Sequence, residues 1–231
     1  VPAQGVAVGR AGMHATGQTA GHLQDECDVV VVGAGAAGLM CAIAAGARGR
    51  RVQVLDHANK VGKKILMSGG GRCNFTNTGT TPANYLSANP HFCKSALARY
   101  TPWHFIELVD RHRIAWHEKT PGQLFCDVSS KLVVKMLLDE CAAAGVEIRT
   151  AAGVREVQVE GGRATGVVTD SGEVLRARAV VANVNPKLLY QRLLPAAAVP
   201  AARVSVPRAA ARSLRRVNDI VEVSFVGITC G

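Results

Sequence analysis

The chain has 231 residues, of which 48% are hydrophobic and 4% aromatic, and it carries a formal net charge of +10. That length can bury a full core, as one large domain or one domain with a smaller insert, and the apolar content excludes a wholly disordered chain. No apolar run is long enough to cross a bilayer.

The seven cysteines (27, 41, 73, 93, 126, 141 and 230) are scattered and contain no C-x-x-C pair. This spacing argues against a disulfide framework or a zinc site and leads us to expect no metal and a reducing cytoplasm. Residues 1–24 are rich in Gly, Ala, His and Gln and have neither an initiator Met nor a signal-peptide apolar core. They are expected to be disordered, and the missing Met suggests a fragment or a reading frame opened upstream.

Order begins at residue 25. Val29–Val32 is a β-branched run, as expected of a parallel strand buried on both faces. Gly33-Ala-Gly-Ala-Ala-Gly38 follows and opens a helix expected over 36–48. In this pattern Gly33 permits the tight turn, Gly35 lets main chain approach a pyrophosphate, and Gly38 lets the helix pack against the strand. The helix N-terminus, with Ala36 and Ala37, turns free N–H groups and the positive dipole end toward that pyrophosphate. A second strand, Arg51–Leu55, ends at Asp56, where a carboxylate can accept hydrogen bonds from a ribose; His57 stands beside it as a further candidate. An ordinary glycine-rich βα turn is the bland alternative, but the acid in the right place favours a dinucleotide site.

The segment from Val61 to Asn77 holds three successive glycines, Gly69, Gly70 and Gly71. Neither helix nor strand propensity explains them, whereas close passage of main chain past a ligand does. Lys63, Lys64 and Arg72 can offset phosphate charge, and Asn74, Thr76 and Asn77 add neutral hydrogen-bonding groups. Arg72 and Asn74 are the candidate contacts to flavin or pyrophosphate, while Cys73 is read as packing in a crowded loop before it is read as a redox partner.

Residues 91–112 look partly helical, interrupted at Pro102, with Trp103, Phe105, Ile106, Leu108 and Val109 as an apolar face. His104, His112 and His117 are taken as surface or satisfied core side chains. Ser129 or Ser130 caps a helix over 131–144, with Leu132, Met136 and Leu137 inward, Lys131, Lys135 and Asp139 outward, and Gly145 as its stop. A short strand over 146–149 leads to an antiparallel meander, about 154–176, with turns at Gly161-Gly162 and Asp170-Ser171-Gly172. Ala179–Ala182 reads as a strand returning to the parallel sheet, and 188–194 as a short helix.

From Lys187 to Arg216 every charged residue is basic. Such a stretch can touch RNA or anionic lipid, but no aromatic platform accompanies it, and a solvated surface is the simpler reading. The expected organisation is therefore a segment 1–24, a Rossmann-like α/β domain over 25–195 with a parallel sheet and an antiparallel meander, and a basic Ala/Pro/Arg-rich tail over 196–231.

The order of elements resembles the FAD-binding domain of glutathione-reductase-type flavoproteins. More narrowly, residues 25–160 resemble the YhiN-like (BaiN-type) NAD(P)/FAD-dependent oxidoreductases, through Gly33–Gly38, Gly62-Lys63-Lys64, Ser68-Gly-Gly-Gly-Arg-Cys-Asn-Phe-Thr-Asn77 and Gly122-Gln-Leu-Phe-Cys126. The resemblance implies FAD held by Ala37 and its glycine neighbours, Asp56, Lys63, the 69–74 loop and the backbone of Val154 near adenine. Asp56 replaces the Glu usual in the family. Val180–Leu194 departs from the family's Ala-Thr-Gly-Gly stretch and resembles the phytoene-desaturase and carotenoid-isomerase class, as in a chimera or truncation of two related halves.

The implied activity is NAD(P)H-linked reduction of a carbon–carbon double bond in a small or nucleobase-like substrate. The hydride chemistry belongs to the flavin, and no residue is assigned as the catalytic acid. The competing readings are a nucleotide-binding remnant without turnover and a basic RNA-associated protein.

Overall fold

The computed structural model describes residues 27–199. In chain order the elements are β1 (Cys27–Val32), α1 (Ala36–Gly46), β2 (Val52–Leu55), α2 (Lys63–Met67), β3 (Asn74–Asn77), α3 (Lys94–Arg99), α4 (Pro102–Arg111), β4 (Trp116–Thr120), β5 (Gln123–Cys126), α5 (Ser130–Ala143), β6 (Glu147–Arg149), β7 (Val154–Glu160), β8 (Arg163–Thr169) and β9 (Val174–Ala182). A short helical turn, Pro186–Leu188, runs into a π-helical turn, Leu189–Leu193.

A six-stranded sheet has the order β6-β2-β1-β9-β8-β7. The first four strands are parallel, and β9-β8-β7 is an antiparallel meander. The chain builds outward from β1 through β2 to β6 and then returns to the other side of β1 with β9, so the strand order reverses at β1. Open α/β sheets bind ligands in the crevice at such a reversal, outside the carboxyl ends of the strands.

Side chains alternate across the sheet. Val31, Val54 and Val181 enter one core, shared with α1, α4, α5 and the small sheet, while Val30, Val32, Leu55 and Val180 enter another, shared with the meander and Leu189, Leu193 and Leu194. Val30 and Val31 are fully buried, so β1 is covered on both faces, as its unbroken valine run requires.

Four local expectations are refined. The last meander strand and the returning strand are one continuous element, β9: Val174–Arg176 pairs with β8, and Ala177–Ala182 lies beside β1. Helix α1 ends at Gly46, where a Cβ would stand 2.5 Å from the Ala144 carbonyl oxygen. Pro102 does not interrupt a helix but opens α4 at its first turn, behind Thr101, whose N–H donates to His104 Nδ1 at 2.9 Å. Trp103 faces away from the core and is 64% exposed, because the apolar stripe of α4 is Phe105, Ile106, Leu108 and Val109.

A second sheet, β3-β5-β4, was not anticipated. Its strands are short and irregular, with register shifts in both pairings, so no clean alternation marks them. Helix α5 follows expectation, with Ser129 Oγ accepting the Lys131 N–H at 3.2 Å and Gly145 in the left-handed region at φ +66°. The segment 1–24 and most of the tail, including the basic residues beyond 199, lie outside the described residues.

Candidate functional site

The ends of β1, β2 and β9 meet at one point. Gly33 N–H donates to the Leu55 carbonyl at 2.7 Å, and Asn183 N–H to that of Val32 at 2.9 Å. Gly62 N–H donates to the Ala34 carbonyl at 3.0 Å, which fastens the approach to α2 against the same turn.

Gly33 and Gly38 are each required for their own reason. Gly33 has φ +108°, and a Cβ there would lie 2.7 Å from the Asn183 carbonyl oxygen. A Cβ on Gly38 would stand 2.0 Å from the Gly33 oxygen, so only glycine lets α1 leave so close to β1. Gly35 is the N-cap, in extended conformation, with no side-chain cap and no acid in the first turn of α1. The N–H groups that open α1, at Ala36, Ala37 and Gly38, are thus left to an external acceptor, as a phosphate-binding turn needs.

Asp56 leaves β2 with a half-enclosed side chain. Its Oδ2 accepts the Ala34 N–H at 2.7 Å and its Oδ1 the Ala58 N–H at 2.8 Å. The carboxylate therefore holds two backbone donors and still has lone pairs for a further hydroxyl. His57 lies in solvent, with Nδ1 at 3.5 Å from Asp56 Oδ1. Val154, which opens β7, is two residues beyond Ala152, whose N–H donates to the Asp56 carbonyl at 2.9 Å.

The glycine triplet follows α2. Gly69, Gly70 and Gly71 have φ of +56°, +65° and +86°, and Cys73 follows at +56°. Gly69 is pressed on Phe125, where a Cβ would approach to 2.8 Å, whereas Gly70 and Gly71 open into empty space. Main chain is thus laid bare where side chains would otherwise stand. Lys63 and Lys64, which open α2, and Arg72, which follows the triplet, are exposed.

Cys73 and Asn74 are instead withdrawn from the surface: the thiol is in the core beside β5, and the Asn74 side chain is buried against the carbonyls of Leu124 and Thr76, to which its amide nitrogen donates once the amide is turned to face them. The turn, Asp56, His57 and Val154 thus lie at the strand ends, while the glycine triplet and the exposed cations Lys63, Lys64 and Arg72 lie along α2 and the loop after it.

Asn183 was missed. It immediately follows β9, and its carboxamide lies over the turn, with Nδ2 at 3.3 Å from where a Gly35 Cβ would be. Strand order was the signal that could have located it, since the strand beside β1 must end at the same crevice.

The histidines have local partners. His112 Nε2 meets Glu140 Oε1 at 2.7 Å, and His117 Nδ1 meets Asp127 Oδ1 at 2.7 Å. Among the described residues no group of three or more His, Cys, Asp or Glu side chains could hold a metal ion, and no helix is long and apolar enough to cross a membrane.

The family model of the HI0933-like protein Rossmann domain matches residues 27–186. The chain belongs to this family. The resemblance to YhiN/BaiN-type flavoproteins thus holds, and the matched stretch continues past residue 160 through β8 and β9.

Among curated relatives, the ribosomal RNA dihydrouridine synthase of Escherichia coli (strain K12) is 62% identical over 122 residues, which are 53% of this chain and 30% of the relative. The enzyme of the same name from Haemophilus influenzae is 54% identical over 129 residues, 56% of this chain and 32% of the relative. The 3-dehydro-bile acid delta(4,6)-reductase of Clostridium scindens is 38% identical over 72 residues, 30% of this chain and 18% of the relative. The chain spans about a third of the length of the first two.

Among solved structures, the 3-ketosteroid-delta4-(5alpha)-dehydrogenase of Rhodococcus jostii RHA1 superposes with a TM-score of 0.54 at 20% identity, covering 72% of this chain and 47% of the other. This likeness is one of fold: a Rossmann-like α/β sheet.

Proposed function

We propose that this chain is the cofactor-binding part of a FAD-dependent oxidoreductase that reduces a carbon–carbon double bond in a nucleobase of RNA, with NAD(P)H as electron donor. The observation that carries the flavin assignment is the uncapped helix N-terminus behind Gly33–Gly38, joined to the acid that ends β2 by the Ala34 N–H donating to Asp56 Oδ2. The residues present suit FAD. Free N–H groups and Lys63, Lys64 and Arg72 answer its phosphates, and Asp56 has acceptor capacity left for a ribose.

FAD when bound supplies the hydride chemistry, and the protein's part is orientation and electrostatics. Dihydrouridine formation and steroid delta(4,6) reduction, named for two kinds of relative, share one operation, the addition of hydrogen across a carbon–carbon double bond. The higher identity to the ribosomal RNA enzymes favours a uracil ring as substrate, and the net charge of +10 suits a polyanionic partner. We place the protein in a reducing cytoplasm, where the described cysteines, none joined in a disulfide, would stay reduced.

The test is a visible spectrum of the purified chain titrated with FAD, before and after anaerobic NADPH, followed by incubation with ribosomal RNA and quantification of dihydrouridine. Saturable uptake, bleaching and dihydrouridine are expected. Absence of saturable FAD uptake would overturn the reading. Uptake without bleaching or product would favour the alternative, a nucleotide-binding protein without turnover.

A further inference from the structure

We propose that the side-chain amide of Asn183 is a cofactor-binding group, donating a hydrogen bond to the pyrophosphate of the dinucleotide. This inference rests on the flavoprotein reading and adds a third strand end to the site.

Asn183 lies close to all three glycines of the turn. The Asn183 carbonyl oxygen lies 2.7 Å from a Cβ placed on Gly33, and Nδ2 lies 3.3 and 3.4 Å from those on Gly35 and Gly38. The backbone of Asn183 is pinned by its N–H donating to the Val32 carbonyl at 2.9 Å, so the side chain starts from a fixed point. It is only partly buried, and no hydrogen bond engages its amide among the described residues. A carboxamide carries two N–H donors, and leaving them idle beside a turn that binds anions would waste their dipole.

The location fits as well. Asn183 immediately follows β9, the strand that returns beside β1, so its amide reaches the same turn that presents the opening N–H groups of α1. An anion on those N–H groups would have a neutral donor on its second side. Asparagine supplies that donor without adding a positive charge that would have to be desolvated in the free protein.

The experiment uses the full chain and compares the parent with Asn183→Asp and Asn183→Ala. FAD dissociation constants come from flavin fluorescence, and thermal midpoints are read without ligand and with ADP or adenosine. Asn183→Asp keeps the shape and replaces a donor with a negative charge. It should weaken FAD by about tenfold or more, the range of a hydrogen bond to a charged group. Asn183→Ala should weaken FAD less. ADP, which carries the pyrophosphate, should lose its stabilising shift in Asn183→Asp, whereas adenosine should act alike on both proteins.

An Asn183→Asp variant that binds FAD within twofold of a binding parent overturns this inference alone. Weakened FAD with unchanged ADP stabilisation also overturns it, because the contact would then lie elsewhere on the cofactor. If the parent takes up no FAD, the flavoprotein reading fails first and this inference with it.

Discussion

Asp56 Oδ2 accepts the Ala34 N–H at 2.7 Å, so the acid that ends β2 physically holds the turn that leaves β1. Ala34 is fully buried, and its N–H has been taken out of water to make this bond. Its Oδ1 meanwhile closes a local loop by accepting the Ala58 N–H at 2.8 Å. The residue chosen by sequence as a ribose acceptor is therefore also a structural clasp.

Asp56→Ala should destabilise the ligand-free protein on the order of 3 kcal/mol, because it strands a buried donor and loses a charge-assisted bond. Asp56→Asn, which keeps one acceptor oxygen, should cost less. Urea denaturation of both variants without FAD measures the difference, and an Asp56→Ala protein as stable as the parent would show that the clasp contributes nothing.

The glycines separate by what surrounds them. Gly38→Ala drives a Cβ into the Gly33 carbonyl oxygen, a backbone atom that cannot swing aside, and should cost about 3 kcal/mol or more. Gly70→Ala meets no neighbour and pays only for its left-handed conformation at φ +65°, about 1 kcal/mol. Thermal melts of the two variants should rank them in that order.

The thiol of Cys126 is completely buried at the end of β5. Burial first, then the neighbouring Cys73 and Asp127, push its pKa up to about 12, and burial pushes Cys141 up to about 11. A thiol whose pKa is raised on folding contributes stability that is fully present below its unfolded value near 9. That contribution is lost as pH rises through the folded value. At pH 8 both cysteines should resist iodoacetamide until the protein unfolds, with labelling followed by peptide mass spectrometry under increasing urea. Rapid native-state labelling of Cys126 would contradict its placement.

Arg149 and Glu173 join β6 to the turn before β9 through a two-pronged ion pair. The Arg149 hydrogen bonds hold the Glu173 carboxyl below its ordinary range. For a depressed carboxylate, stability is present above the unfolded pKa and lost as pH falls through the folded one. Both side chains are partly in water, so Glu173→Gln should cost less than about 1 kcal/mol at pH 7. The difference between variant and parent should shrink as pH falls below the ordinary carboxylate range in a chemical-denaturation series.

Sequence alone determined the elements whose signals are local. The valine run of β1, the glycines Gly33, Gly35 and Gly38 where α1 begins, the acid after β2, the Ser129 cap and the turns of the meander each depend on neighbours a few positions away. Steric and hydrogen-bonding rules act over that range, so β1-α1-β2, α5 and the α/β class were legible. Only the tertiary structure decided which strand ends come together. The joining of two predicted strands into β9, the second sheet β3-β5-β4 with its shifted registers, and the placement of Asn183 over Gly33, Gly35 and Gly38 all depend on pairings between residues far apart in the chain. Such pairings are selected by burial of shared faces and by loop closure, which local pattern does not encode. The same distinction sorts the candidate site. Asp56 and the glycines were found by spacing, whereas the clasp to Ala34, the withdrawal of Cys73 and Asn74 into the core, and the Asn183 amide emerged only when the chain was folded back on itself.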